Sequence, residues 1–152
     1  MNEQDIRKDG SHIRFIKNPS PQLQKIAVEQ GSDNIQFIKN PTEDIKLAAV
    51  KDCGRNIQYI QNPSPQLQEI AVEQDGENIR YIKNPTKQAQ LIAVNKSGYY
   101  IEFINDPSEE IQIAAVRSCG YAIKYIKNPS EKVKLQAVCS NGHVLEQFEN
   151  PS

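Results

Sequence analysis

The chain has 152 residues, of which 38% are apolar and 24% charged, and a formal net charge of −1. These values are typical of a folded domain and exclude a global field that would draw the chain to nucleic acid or to a membrane. The N-terminus lacks the apolar stretch of a signal peptide, and the apolar runs are too short to span a bilayer. Three cysteines without framework spacing predict a reducing, cytoplasmic compartment.

Proline recurs every 22 residues along the chain without an insertion. The row comprises Pro19, Pro41, Pro63, Pro85, Pro107, Pro129 and Pro151. Each is followed by Ser or Thr, and all but Pro107 are preceded by Asn. An aromatic row keeps the same period: Phe15, Phe37, Tyr59, Tyr81, Phe103 and Tyr125. The chain is therefore an internal tandem repeat.

The segment that follows each proline predicts an α-helix. In one copy Thr42 is the expected N-cap, because a threonine hydroxyl can accept a hydrogen bond from the first helical turn. A buried stripe is expected at helical spacing, and it comprises Ile45, Ala48, Ala49 and Val50. A glycine is expected just beyond the helix C-terminus, at Gly10, Gly54, Gly76, Gly98, Gly120 and Gly142, whereas Gly31 is displaced by one position.

A second, shorter segment carries Ile57, Tyr59 and Ile60 before the next Asn-Pro pair. Its spacing would also suit a strand, because these residue types favour β-structure. We expect a short helix instead, since a parallel strand pairing needs a crossover longer than the few residues available.

No single copy can bury its own apolar face, so neighbouring copies must stack. The sequence predicts an all-α fold: an α-solenoid of tandem 22-residue two-helix repeats, with a right-handed superhelix expected. We expect one domain over residues 1–152. It would comprise an N-terminal half-repeat cap (1–10), six repeats (11–142) and a C-terminal half-repeat cap (143–152).

The pattern Asn-Pro-Ser/Thr-x-x-Ile/Leu-x-x-Ala-Val followed by Gly resembles the short α-helical tandem repeats of the leucine-rich-variant and HEAT-like α-solenoid class. It is most similar to repeat families of bacteria, phages and giant viruses. The resemblance covers residues 6–152 and concerns packing and turn positions. It implies a macromolecule-binding surface, including contacts between virus and host, and it is silent on activity.

The residues that catalysis would need do not converge in the sequence. The only histidines, His12 and His143, stand at opposite ends of the array, without a neighbouring Cys or His at metal-ligand spacing. Cys53 and Cys119 hold the same repeat position three copies apart, too far for a disulfide. We therefore predict a non-enzymatic protein without a cofactor or a metal.

The row after the glycine position varies most between copies, and it becomes aromatic toward the C-terminal end. We predict a protein-binding edge there, with rings stacked along successive copies, because exposed tyrosines bury large area at low entropic cost. Its residues are Tyr99, Tyr100, Tyr121 and His143. The alternative is that these rings pack against neighbouring short helices.

A row of basic side chains is the second candidate surface: Arg14, Lys17, Lys39, Arg80, Lys83, Lys124 and Lys127. It could follow the phosphates of a nucleic acid, although Glu102 interrupts it, and a solvated face that keeps the solenoid soluble is the favoured explanation. The glutamine rows through Gln22 and Gln24 could read nucleobase edges, but glutamines are also ordinary residues of a helix surface. A self-associating structural element and a consensus or designed array without a natural partner remain open as well.

Overall fold

The computed structural model describes residues 3–144, in which α-helices and 3-10 helices alternate. The α-helices are α1 (Glu3–Lys8), α2 (Pro21–Gln30), α3 (Glu43–Asp52), α4 (Pro65–Gln74), α5 (Lys87–Lys96), α6 (Glu109–Ser118) and α7 (Glu131–Ser140). The 3-10 helices are η1 (Gly10–Phe15), η2 (Ser32–Phe37), η3 (Gly54–Tyr59), η4 (Gly76–Tyr81), η5 (Gly98–Phe103), η6 (Gly120–Tyr125) and η7 (Gly142–Val144). None of residues 3–144 lies in a strand, which confirms the predicted all-α repeat solenoid.

The helices form two layers, one of α-helices and one of 3-10 helices. From α2 to α6, each α-helix contacts the 3-10 helices before and after it and the α-helices on both sides. Successive 3-10 helices from η1 to η6 contact each other in the same way. The core lies between the layers and is continuous from Ile6 to Val144. Each repeat therefore completes its core with side chains of its neighbours.

Five α-helices, namely α2, α4, α5, α6 and α7, start with the expected side-chain cap. The Ser64 hydroxyl accepts a hydrogen bond from the Leu67 N–H, and Pro65 occupies the first helical turn. Thr42 is the N-cap of α3 as predicted, but its side chain forms no cap hydrogen bond. Its backbone N–H donates instead to Oε1 of Gln24, in the preceding α-helix, at 3.2 Å.

The predicted buried stripe of α3 needs one correction. Ile45, Ala49 and Val50 are buried, whereas Ala48 is exposed. Its position lies at the flank of the stripe, where burial depends on the residue and on the neighbouring helices. Ile26, at the same position in α2, is buried.

The shorter helices are 3-10 helices, which confirms the choice of helix over strand. In η3 the N–H of Ile60 donates to the carbonyl of Ile57 at 3.1 Å, the i to i+3 pattern of a 3-10 turn. The chain then turns sharply, and three residues before a proline adopt positive φ: Asn62 (49°), Asp106 (48°) and Asn128 (52°). Asn and Asp tolerate this left-handed conformation better than other non-glycine residues, which explains their recurrence there.

The glycine row has a different cause from the one predicted. No glycine between residues 3 and 144 has a positive φ, so none supplies a left-handed helix cap. Gly54 begins η3, and a Cβ there would lie 2.7 Å from Asn78 Nδ2 and 3.0 Å from the Ala71 carbonyl oxygen. Glycine is required because the next repeat approaches the backbone closely.

Candidate binding surfaces

Two buried glutamines of one row, Gln24 and Gln68, bond the Asn-Pro loop of their own repeat and the loop of the next. Gln68 is buried; its Nε2 donates to the Pro63 carbonyl at 3.0 Å, and its Oε1 accepts from the Thr86 N–H of the next repeat at 2.8 Å. Gln24 makes the corresponding bonds to Pro19 and Thr42. The interpretation of this glutamine row as ordinary helix surface is therefore wrong. Such bonds make the Asn-Pro loops a rigid edge.

Tyr99, Lys124 and Tyr125 form an exposed cluster on η5 and η6. The Tyr99 and Tyr125 rings meet edge to face, with centroids 6.2 Å apart and planes at 87°, and 41% and 37% of these residues is exposed. Lys124 Nζ lies 5.6 Å from the Tyr99 ring centroid and 4.7 Å from that of Tyr125. A hydrogen bond with Cys119 raises the pKa of Tyr99, and one with Tyr125 raises the pKa of Lys124.

The other residues of the predicted tyrosine edge lie elsewhere. Tyr100 is half-buried, and its ring fills the space that a Cβ on Gly76 would need. The ring also stacks on that of Phe103, with centroids 6.5 Å apart. Burial raises the pKa of Tyr100, with Asp75 as a further cause. Tyr121 is half-buried against the core, and only His143 is exposed.

The expected continuous stack of Tyr99, Tyr121 and His143 is not formed. Within residues 3–144 the Tyr99 ring contacts Tyr125, which comes from the aromatic row and not from the variable one. Tyr99 is thus exposed beside Tyr125, whereas Tyr100 and Tyr121 pack against the core. The C-terminal cap predicted for 143–152 lies outside the described residues, apart from His143 and Val144.

The basic residues divide into two groups. Three of them cover rings of the aromatic row: the Arg14 guanidinium carbon lies 4.6 Å from the Phe37 centroid, that of Arg80 lies 4.9 Å from Phe103, and Lys124 covers Tyr125. Arg80 also forms an ion pair with Glu77 at 2.7 Å. These cations stabilise contacts between successive 3-10 helices and are not free charges.

The second group is a row of exposed lysines, which we call the lysine row: Lys17, Lys39, Lys83 and Lys127. Within residues 3–144 none of the four has a carboxylate at ion-pair distance. Four of the eight lysines in the α-helices are paired with glutamates, by contrast, as in Lys46 with Glu43 and Lys87 with Glu110, both at 2.6 Å.

Three equivalent clefts lie between consecutive Asn-Pro loops, with volumes of about 590, 540 and 570 Å³. Each is lined by two isoleucines, by the aromatic residue of the later repeat and by two neighbouring positions of the lysine row. The lining residues are Ile38, Lys39, Tyr59, Ile60 and Gln61 in the first, Ile60, Gln61, Tyr81, Ile82 and Lys83 in the second, and Ile104, Asn105, Tyr125, Ile126 and Lys127 in the third.

Within residues 3–144 no group of three His, Cys, Asp or Glu side chains is placed to hold a metal ion. In the same part of the chain no helix has the length and apolarity needed to cross a membrane. The three cysteines, Cys53, Cys119 and Cys139, are free thiols. No family model, no curated protein and no solved structure matches the chain.

Proposed function

We propose that the chain is a non-catalytic, cytoplasmic scaffold that binds another protein, with the cluster of Tyr99, Lys124 and Tyr125 as its anchor. The observation that carries the proposal is the geometry of this cluster. Two exposed tyrosine rings stand at 87° on successive 3-10 helices, with a lysine ammonium beside both. Such preorganised aromatic groups lose little entropy when a partner covers them.

Nucleic-acid binding receives less support from the same geometry. Base stacking needs a free ring face, whereas cations lie over the rings of Phe37, Phe103 and Tyr125. Glu102 and Asp106 also place negative charge on the loop side of the fold, next to Asn105. A polyanion that follows the whole array would meet repulsion there.

Site-specific crosslinking tests the proposal. A photoreactive phenylalanine analogue replaces Tyr99 in one variant and Phe15 in another. Phe15 is the control because it belongs to the same aromatic row, lies on η1 outside the cluster and the three clefts, and is 66% exposed. We expect position 99 to capture one protein from a lysate of the source cell and position 15 not to capture it.

The captured protein is then purified and titrated against variants. We expect Tyr99→Ala with Tyr125→Ala to weaken binding about tenfold or more, while Phe15→Ala leaves the affinity unchanged. Circular dichroism must show that the double variant stays folded. Full affinity in a folded double variant would remove the cluster from the binding site.

A further inference from the structure

We propose that the two clefts between Lys39 and Lys83 bind an extended acidic polypeptide segment, with acidic side chains that face Lys39 and Lys83. The inference rests on the proposed function, because it names the chemistry of a protein partner. It concerns a different part of the surface from the tyrosine cluster, so the two can be tested separately.

Charge is the first argument. Lys17, Lys39 and Lys83 project from the first, second and fourth Asn-Pro loops without a carboxylate at ion-pair distance, whereas four lysines of the α-helices are paired with glutamates. The segments that contain the 3-10 helices and their loops hold eight basic and four acidic residues: 10–20, 32–42, 54–64, 76–86, 98–108 and 120–130. An aligned row of unpaired cations is complementary to an anionic ligand.

Spacing is the second argument. Packed helices lie ~8–10 Å apart, which sets the distance between successive lysine positions. A polyproline II chain rises about 3.1 Å per residue and has three residues per turn, so every third side chain recurs on one face after about 9.3 Å. In a β-strand, side chains on one face recur after about 6.8 Å, which does not match the repeat.

The lining of the clefts suits such a chain. Between the lysine positions of the second cleft lies the half-buried ring of Tyr81, and Ile60 and Ile82 are buried in the floor of the cleft. Aromatic-lined grooves accept the apolar residues of a polyproline II ligand, which here alternate with the acidic ones. The Tyr81 hydroxyl is held by the Arg55 Nε at 3.0 Å, so this wall is fixed before binding.

A polypeptide fits these clefts better than a nucleic acid. Gln61 interrupts the lysine row between Lys39 and Lys83, so the positive charge is discontinuous. A phosphate chain carries a charge on every nucleotide and gains most from a continuous basic track. A polypeptide can place a neutral residue opposite Gln61.

Fluorescence anisotropy with defined peptides tests the proposal. The probe is a labelled peptide of repeated Pro-Pro-Glu triplets, and the matched neutral peptide has Pro-Pro-Gln triplets. We expect the acidic peptide to bind at least about fivefold tighter than the neutral one. Lys39→Gln with Lys83→Gln should abolish this preference. The control, Lys87→Gln with Lys134→Gln, removes two paired lysines of the α-helical layer that line none of the three clefts, and it should preserve the preference.

Several outcomes would overturn the proposal. They are equal binding of the two peptides, equal loss in both lysine variants, and no anisotropy change up to about 1 mM peptide. A labelled oligothymidylate that binds tighter than the acidic peptide, and loses affinity with Lys39→Gln and Lys83→Gln, would assign the row to nucleic acid. None of these results affects capture at position 99, so a failure here is distinct from failure of the proposed function.

Discussion

Asn78 donates a hydrogen bond from its side-chain Nδ2 to the carbonyl oxygen of Ala71 at 2.9 Å, across the bend from α4 into η4. The Asn56–Ala49 and Asn34–Ala27 pairs repeat the same bond at 3.0 and 2.9 Å. All three asparagines are buried. The bond therefore fixes the angle between the two helices of each of these repeats.

Replacement of Asn78 by Ala should lower the free energy of unfolding by about 1–2 kcal/mol. The change removes one buried hydrogen bond and leaves a small cavity, while the Ala71 carbonyl keeps its bond from the Asp75 N–H. Alanine fits this position, since Ala122 holds it in η6. Urea unfolding followed by circular dichroism measures the difference, with Gln58→Ala at an exposed position of η3 as the control. Equal stability of the two variants would show that the bond contributes nothing.

The glycine row should respond to an added methyl group according to the space around each position. A Cβ on Gly98 would overlap the Ala115 carbonyl oxygen and crowd Cys119. The carbonyl belongs to helix backbone and cannot move away, so Gly98→Ala should cost roughly 2 kcal/mol or more.

Gly142 provides the matched control for this substitution. Among residues 3–144, a Cβ there would meet no atom within 4 Å. Gly142→Ala should leave the stability unchanged or raise it by about 0.4–1 kcal/mol, because alanine restricts the unfolded chain. Thermal unfolding of both variants gives the comparison. A similar loss in both would mean that the row has a conformational origin and not a steric one.

The architecture follows from the sequence because every copy carries the same proline, isoleucine and alanine positions. The 22-residue period separates the two helices, and serine or threonine marks where each α-helix begins. The short helix is recognisable as well, since its Ile57 and Ile60 lie one 3-10 turn apart. Repetition makes these local signals reliable, because each is observed several times in one chain.

The binding surfaces were less predictable because they depend on contacts between copies. Tyr99 shares a sequence row with Tyr121, yet its ring meets Tyr125. Gln68 appears on a polar helix row, yet it is buried because the loop of the next repeat covers it. Both outcomes depend on the offset between stacked helices, and this offset cannot be predicted from the sequence of a single copy.

Alkaline pH should destabilise the fold partly through Tyr100. Burial raises the pKa of this phenol above its ordinary value of 10.0, so the folded state favours the protonated form. The resulting stability is present below about pH 10, where both states are protonated, and is lost as the pH rises through the folded pKa. Asp75 and Glu77 add to the shift, since their negative charges oppose the phenolate.

Tyr100→Phe removes the ionisable group and keeps the ring that packs beside Gly76. We expect its urea midpoint to fall less steeply than that of the wild type between about pH 8 and about pH 11. The slopes of the two curves are compared, and not their heights. Tyr100→Phe also loses the hydroxyl hydrogen bond to Asp75, which shifts its urea midpoint by the same amount at every pH below the pKa of the tyrosine. Tyr59→Phe controls for removal of an exposed hydroxyl on η3. Parallel curves for the wild type and Tyr100→Phe would show that Tyr100 ionises equally easily in both states.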